Sequence, residues 1–223
     1  MIRGYEIIMT EDGSHTVRLK NSEITFHSGR GAIQESQHVF ISAGFQYYIQ
    51  HKTKKEISVF EVGFGTGLNV LLTAIVASRS DKQVVYYAVD EYPLPMEIYA
   101  NLNYASILNE EELYKIIMQT GWNQLLLMNG FLKLDKTKIS LADYNFDRNF
   151  DIIYFDAFAP DDQAAMWTEA IFKKLYDALN DDGVLVTYCS KSIVRKRLHA
   201  VGFTVEKLKG PPGKREIIRA LKR

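Results

Sequence analysis

From residue 56 onward the chain alternates short apolar runs with amphipathic stretches, and this period restricts the fold more than any other feature. Ile57–Val62, Val84–Val89, Lys138–Ala142, Asp151–Phe155 and Val184–Tyr188 read as buried strands. Leu68–Ala77, Pro95–Leu108, Glu110–Met118, Trp167–Leu179 and Ser192–Val201 read as helices, and residues 121–137 are also expected to be helical. Strands that alternate with helices build βαβ units, which require a mostly parallel sheet with right-handed crossovers. Phe203–Leu208 and Glu216–Leu221 are expected to close the chain as a hairpin across Gly210-Pro211-Pro212-Gly213. Ahead of this region, residues 5–27 alternate like a small hairpin, and a helical pattern runs from Ala32 to His51. Two parts are therefore expected: a β-hairpin and helix extension over 1–55, and an α/β domain over 56–223.

Open α/β sheets bind ligands at the carboxyl ends of their strands. The candidate residues lie there. Glu61-Val62-Gly63-Phe64-Gly65-Thr66-Gly67 follows a strand and opens a helix, so its glycines permit a sharp turn and a close backbone approach to a ligand. A dinucleotide fingerprint would need a third glycine where Leu68 stands. Glycine at alternate positions, with a carboxylate two residues earlier, instead resembles motif I of class I methyltransferases. That likeness implies a Rossmann-like, mostly parallel seven-stranded sheet with the last strand antiparallel, and a loop facing the amino-acid end of S-adenosylmethionine. Asp90 ends the second strand, where a carboxylate can accept both ribose hydroxyls, and Asp143 is placed to accept the adenine amino group. Neighbouring Glu91 competes with Asp90 for its role, and Asp143 also reads as a plain strand-end turn residue.

Asp156-Ala157-Phe158-Ala159-Pro160 closes the fourth main strand, where methyl acceptors bind in that fold. Methyl transfer to an amine leaves positive charge on nitrogen, and a fixed carboxylate stabilises it. With an ordinary pKa of about 3.9, Asp156 would be a poor base for an alkylammonium. Its first role is therefore orientation and electrostatics, with proton acceptance only if its surroundings raise that value.

Several segments together resemble one family, the tRNA 5-methylaminomethyl-2-thiouridine methyltransferases, which occur as half of a bifunctional protein and as stand-alone relatives. The segments are Phe26-His27-Ser28-Gly29 with Glu35-Ser36 and Val39-Phe40; Gly63-Phe64-Gly65-Thr66-Gly67-Leu68-Asn69; Asp90 with Tyr92-Pro93-Leu94; Asp156–Pro160 with Met166-Trp167-Thr168; and Gly210 with Gly213-Lys214-Arg215-Glu216. The resemblance implies N-methylation of the primary amine of 5-aminomethyl-2-thiouridine at the tRNA wobble position, with Asp156 as the catalytic carboxylate. It assigns Glu61, Gly63, Phe64, Gly65, Thr66, Gly67, Asn69, Asp90 and Asp143 to the S-adenosylmethionine site. Glu35, Phe158, Pro160, Lys214 and Arg215 fall to the acceptor, a tRNA anticodon region. The bifunctional form carries a further FAD-dependent oxidase, and nothing follows Arg223 in this chain, so no flavin is expected.

Charge bears on the partner. The chain is neutral overall, yet eleven lysines and arginines face two glutamates from Cys189 onward. A basic end suits an anionic partner such as RNA, and it also suits a solvated helix face. One cysteine and five unclustered histidines give no metal-ligand spacing. The lone cysteine and the lack of a signal or membrane-spanning run point to a cytoplasmic protein. A methyltransferase for another small-molecule or protein amine, and a catalytically silent S-adenosylmethionine-binding partner, fit the same residues.

Overall fold

In a computed structural model, which describes residues 4–128 and 130–223, Tyr5–Met9 (β1) and His15–Leu19 (β2) pair antiparallel about the Glu11-Asp12-Gly13 turn. The hairpin does more than decorate the surface. Helix α1 (Ala32–Ser36) begins after Gly31 with no side-chain cap of its own. Its first free N–H groups go to the hairpin turn: Ala32 and Ile33 donate to Ser14 Oγ at 3.1 and 3.3 Å, and Gln34 donates to Asp12 Oδ2 at 3.0 Å. Helix starts need such acceptors, and here they arrive from a separate element. The helix continues through a π-helical stretch, Gln37–Gln46, into α2 (Tyr47–His51). Phe40, Ile41 and Phe45 are fully buried in one cluster with Tyr154 and Val186 of the main sheet. The expected boundary near residue 55 thus crosses a continuous core.

The remaining chain alternates as follows: β3 (Glu56–Val62), α3 (Leu68–Arg79), β4 (Gln83–Val89), α4 (Met96–Tyr99), α5 (Tyr104–Leu108), α6 (Glu111–Gln119), β5 (Leu125–Met128), β6 (Leu132–Thr137), β7 (Phe150–Phe155), α7 (Glu169–Ala178), β8 (Leu179–Thr187), α8 (Ser192–Ala200), β9 (Thr204–Lys209) and β10 (Glu216–Leu221). Among the described residues the main sheet has eight strands in the order β5-β6-β4-β3-β7-β8-β10-β9. Strands β6, β4, β3, β7 and β8 run parallel, and β10 is antiparallel to both β8 and β9. Those seven give the expected sheet, and β5 adds an antiparallel edge. One apolar layer, including Leu71, Tyr86 and Ile117, covers one face; Trp167, Phe172, Leu175 and Leu198 cover the other.

Two expectations fail in one segment. Residues 125–128 and 132–137 form strands where a helix was expected. Chain 138–142 forms no strand, because β6 already fills the position beside β4 and ends at Thr137. The strand reading before Asp143 was therefore one element late.

Candidate active site

The tips of three strands are sewn together before any ligand is considered. Gly63 N–H donates to Val89 O at 2.9 Å, and Asp156 N–H donates to Val62 O at 3.0 Å. Gly63 has φ +85°, and a Cβ there would sit 2.7 Å from Asp156 O, so only glycine lets β3 and β7 converge this closely. The loop is then braced from outside. Gly65 N–H donates to Asp90 Oδ2 (3.0 Å), Tyr99 Oη donates to Gly65 O (3.2 Å), and Tyr114 Oη donates to Thr66 O (2.9 Å). A rigid loop of this kind loses little order when a ligand arrives.

Above these tips lies a cavity of about 460 Å³, a size ordinary for a small-molecule site. Of the sequence-nominated residues, Gly63, Phe64, Gly65, Thr66, Asn69, Asp90, Asp156, Phe158, Glu35 and Lys214 line it. Others stand apart. Glu61 lies fully buried beneath the floor, and Gly67 initiates α3 with φ +72°. Pro160 and Arg215 are not among the lining residues. Asp143 is exposed in a turn, its N–H donating to Ser140 O, and Ile139, Ser140 and Leu141 form that part of the wall. It does not stand at a strand tip as expected, because β6 ends six residues before it.

The sequence reading gave no role to several lining residues. Tyr5, Phe26 and His27 come from the hairpin region, and Gln163, Met166 and Tyr188 from beyond β7. Phe26 meets Phe158 edge to face at 5.1 Å, while Trp167 donates to Phe158 O (2.7 Å) and Gln163 Oε1 accepts from Phe158 N–H (3.1 Å). His27 is buried with its Nδ1 3.0 Å from Thr16 Oγ1, and burial lowers its pKa to about 4, which keeps the ring neutral. Phe26 and His27 stood in the matched motif, so a signal existed; Tyr188 follows a strand and had none. Both tryptophans are structural: Trp167 is wholly buried, and Trp122 packs edge to face on Phe64 at 5.6 Å. Within the basic stretch of α8, Arg197 is spent on Trp167 O at 2.7 Å.

Electrostatics concentrate on Asp156. Asn69 Nδ2 donates both to its Oδ2 (2.9 Å) and to Glu61 Oε1 (2.8 Å). Burial first, and the Glu35 charge second, raise the Asp156 carboxyl to about 7 against the opposing effects of Asn69 and Lys214. Burial likewise pushes Glu61 well above the carboxylate range. Glu35 accepts from Ser28 N–H through Oε2 (2.7 Å), and its Oε1 forms an ion pair with Lys214 Nζ. Lys214 Nζ in turn stands 3.9 Å from the centre of the Tyr188 ring. No group of three or more potential metal-ligating side chains occurs among the described residues, and no helix there is long and apolar enough to cross a membrane.

A parallel sheet with an antiparallel penultimate strand, a glycine bend at its centre and an acid at the next tip define a class I methyltransferase. Residues 107–223 match the family described as S-adenosyl-L-methionine-dependent methyltransferase, and the chain belongs to that family. Among curated proteins it is similar to the MnmC proteins. It is 28% identical over 95% of its length to the tRNA 5-methylaminomethyl-2-thiouridine biosynthesis bifunctional protein MnmC of Burkholderia thailandensis, covering 34% of that protein. The homologous protein of Burkholderia pseudomallei is 27% identical, with the same coverage. The chain thus spans about a third of the length of these curated relatives. In fold it is similar to MNMC2 from Aquifex aeolicus, with a TM-score of 0.81, 23% identity and coverage of 98% of this chain and 70% of that one. It is also similar to spermidine synthase from Thermotoga maritima, with a TM-score of 0.64, 17% identity and coverage of 100% and 70%.

The residues present fit S-adenosylmethionine. The Gly63 and Gly65 backbone forms a cradle beside the cavity. Asn69, which lines it, has a buried Oδ1 without a hydrogen-bond partner, an acceptor suited to an amino group.

Proposed function

We propose that this chain methylates the primary amine of 5-aminomethyl-2-thiouridine at the wobble position of tRNA. The cavity's glycine side, with Gly63, Gly65, Asn69 and Asp90, is assigned to S-adenosylmethionine. That molecule supplies a methyl group carried on a sulfonium. The side lined by Asp156, Phe158, Glu35 and Lys214 is assigned to the acceptor. Glu61 acts through Asn69, positioning it, and Pro160 shapes the turn that carries Phe158. Arg215, beside Lys214 on the rim, is assigned to an anticodon phosphate, which would fix register without reading sequence.

The observation that carries this reading is a carboxylate with a raised proton affinity at the acceptor end of the cavity. An alkyl amine reaches the site mostly protonated, and its lone pair must be free to react. With its pKa at about 7, Asp156 can hold a proton from the ammonium in a way that an ordinary aspartate cannot. It then accepts a hydrogen bond from the nitrogen and stabilises the charge that develops there. Phe158, braced by Phe26 and Trp167, offers a face on which an unstacked base can rest. In support, the relatives over 95% of the chain carry names that refer to this tRNA modification.

Nucleoside mass spectrometry of tRNA from cells lacking the gene, treated with the protein and S-adenosylmethionine, tests the reading. The expected product is 5-methylaminomethyl-2-thiouridine at the expense of the aminomethyl nucleoside. Unchanged aminomethyl nucleoside beside methylated product elsewhere would overturn it.

A further inference from the structure

Lys214 lies in an unusual place for a rim cation. It leaves the β9–β10 turn, where its N–H donates to Pro211 O at 2.9 Å, and its side chain turns inward to line the cavity. There its ammonium meets the two things that recognise ammonium ions: the carboxylate of Glu35 and, 3.9 Å away, the face of Tyr188. Both partners are fixed independently of it. Glu35 is only 6% exposed and is anchored by Ser28 N–H. Tyr188 is anchored by its hydroxyl, which donates to Ala157 O at 2.9 Å. Yet Glu35 Oε1, buried in the cavity lining, has no aligned hydrogen bond among the described residues, where its charge is met by the ion pair with Lys214. The receptor is rigid, and its occupant comes from a turn.

We propose that Glu35 and the Tyr188 ring form a binding subsite for the cationic amine of the acceptor, and that Lys214 is a displaceable internal occupant of that subsite. An entering alkylammonium exchanges with the lysine, so the buried carboxylate is never left uncompensated, which would be costly. Neutral groups cannot make the exchange, and this selects cationic amines over alcohols and amides of the same size. The released Lys214 stays on the rim next to Arg215, where it can meet an anionic part of the same acceptor. Because the acceptor's amine charge is the premise, the inference rests on the amine-methylation reading.

Binding of ¹³C-methylammonium, followed by NMR without S-adenosylmethionine, tests it directly. An occupied subsite lowers apparent affinity by the fraction of molecules in which it is open. If that fraction is about one tenth, Lys214→Met tightens methylammonium binding about tenfold. Glu35→Gln combined with Lys214→Met returns it to the wild-type level or below. Acetamide, a small neutral amide, gains nothing from Lys214→Met, whereas a merely enlarged cavity would admit both probes. The proposal fails if Lys214→Met binds methylammonium no tighter than wild type, if acetamide gains equally, or if the double variant keeps the gain. Should Lys214→Met not fold, crystals of the wild type soaked in methylammonium decide the matter: the ion at Glu35 with Lys214 turned away supports the exchange, and the unaltered ion pair overturns it. Tight amine binding without methylation of tRNA would sink the tRNA assignment and leave the subsite to serve a different amine acceptor.

Discussion

Strand β7 carries a carboxylate at each end, and the two have opposite fates. Asp151 at the amino end is 2% exposed and surrounded by donors: Tyr48 Oη, Lys54 Nζ, Ser58 N–H and Oγ, and Asn180 Nδ2, all between 2.7 and 3.1 Å. Burial alone would raise its pKa, but the hydrogen bonds from Lys54, Ser58 and Asn180 bring it below the ordinary value. Asp156, just past the other end, receives one side-chain donor among the described residues, Asn69, and faces the Glu35 charge. Its pKa rises to about 7. The same residue type on one strand is a structural anchor where the backbone and side chains converge on it, and a carboxylate with raised proton affinity where they hold back. The amino ends of the strands are a place to spend charge on stability; the carboxyl ends keep it available.

The largest expected effect is at Asp156. Replacing it with asparagine keeps the shape and removes the charge, and methyl transfer should fall about a thousandfold, within the span given to a positioned acid–base group. The fold should gain. Because its native pKa lies above the unfolded value, ionised Asp156 costs stability that grows from pH 4 to 7 and stays constant above. At pH 8 the variant should therefore be more stable by about 2 kcal/mol, roughly half the full linkage value, since the cavity admits some water. Denaturant titration checks this; unchanged activity, or a loss of stability, would erase the contrast between the two ends.

Asp151→Ala should do the reverse. Removing the acceptor of a buried ion pair typically costs about 3–5 kcal/mol, and the lower end applies here because Lys54 is half exposed. Among molecules that remain folded, the turnover per active site should be near wild type. A depressed native pKa means this stabilisation is present at neutral pH and is lost as pH falls through that value. Acid unfolding should start at higher pH if Asp151 is weakened.

The pH dependence of the rate sharpens the comparison. The proposed mechanism needs Asp156 as carboxylate, so kcat/KM should rise with pH along a limb centred near 7. Glu35→Gln removes a neighbouring negative charge and should move that limb to lower pH; Lys214→Met removes a positive one and should move it up. A limb that ignores both variants belongs to another group.

The contrast also explains what could be read from the chain alone. Strands β3, β4 and β7 are buried on both faces, so they appear as nearly continuous apolar runs, and the acids and glycines at their tips stand out. Strand β6 does not: Leu132-Lys133-Leu134-Asp135-Lys136-Thr137 alternates, and its Lys136, wholly buried, donates to the Ile117 and Met118 carbonyls. A lysine that caps another helix looks like surface in the sequence, so the strand was missed and Asp143 was placed at a tip it does not occupy. The anchoring of Asp151 could not be read either, since its donors come from α2, β3 and β8. Nor could the places of Tyr5 and Tyr188 in the cavity wall, because they meet there only once the hairpin and the β8 tip are brought together by the fold.

One pair of identical substitutions tests whether donors, not position alone, separate the two carboxylates. Asn180→Ala removes one of several bonds to Asp151, and a neutral donor to a buried acceptor is worth about 1 kcal/mol. Stability should drop by that amount with activity unchanged, since the remaining donors keep Asp151 ionised. Asn69→Ala removes the one side-chain bond to Asp156, and should cost less in stability because the ionised form it supports is already disfavoured. It should instead raise the pKa of Asp156, shift the rate limb upward and lower the rate at neutral pH severalfold. Equal stability losses with no movement of the limb would mean that the number of donors does not set the difference, and that depth beneath the surface does.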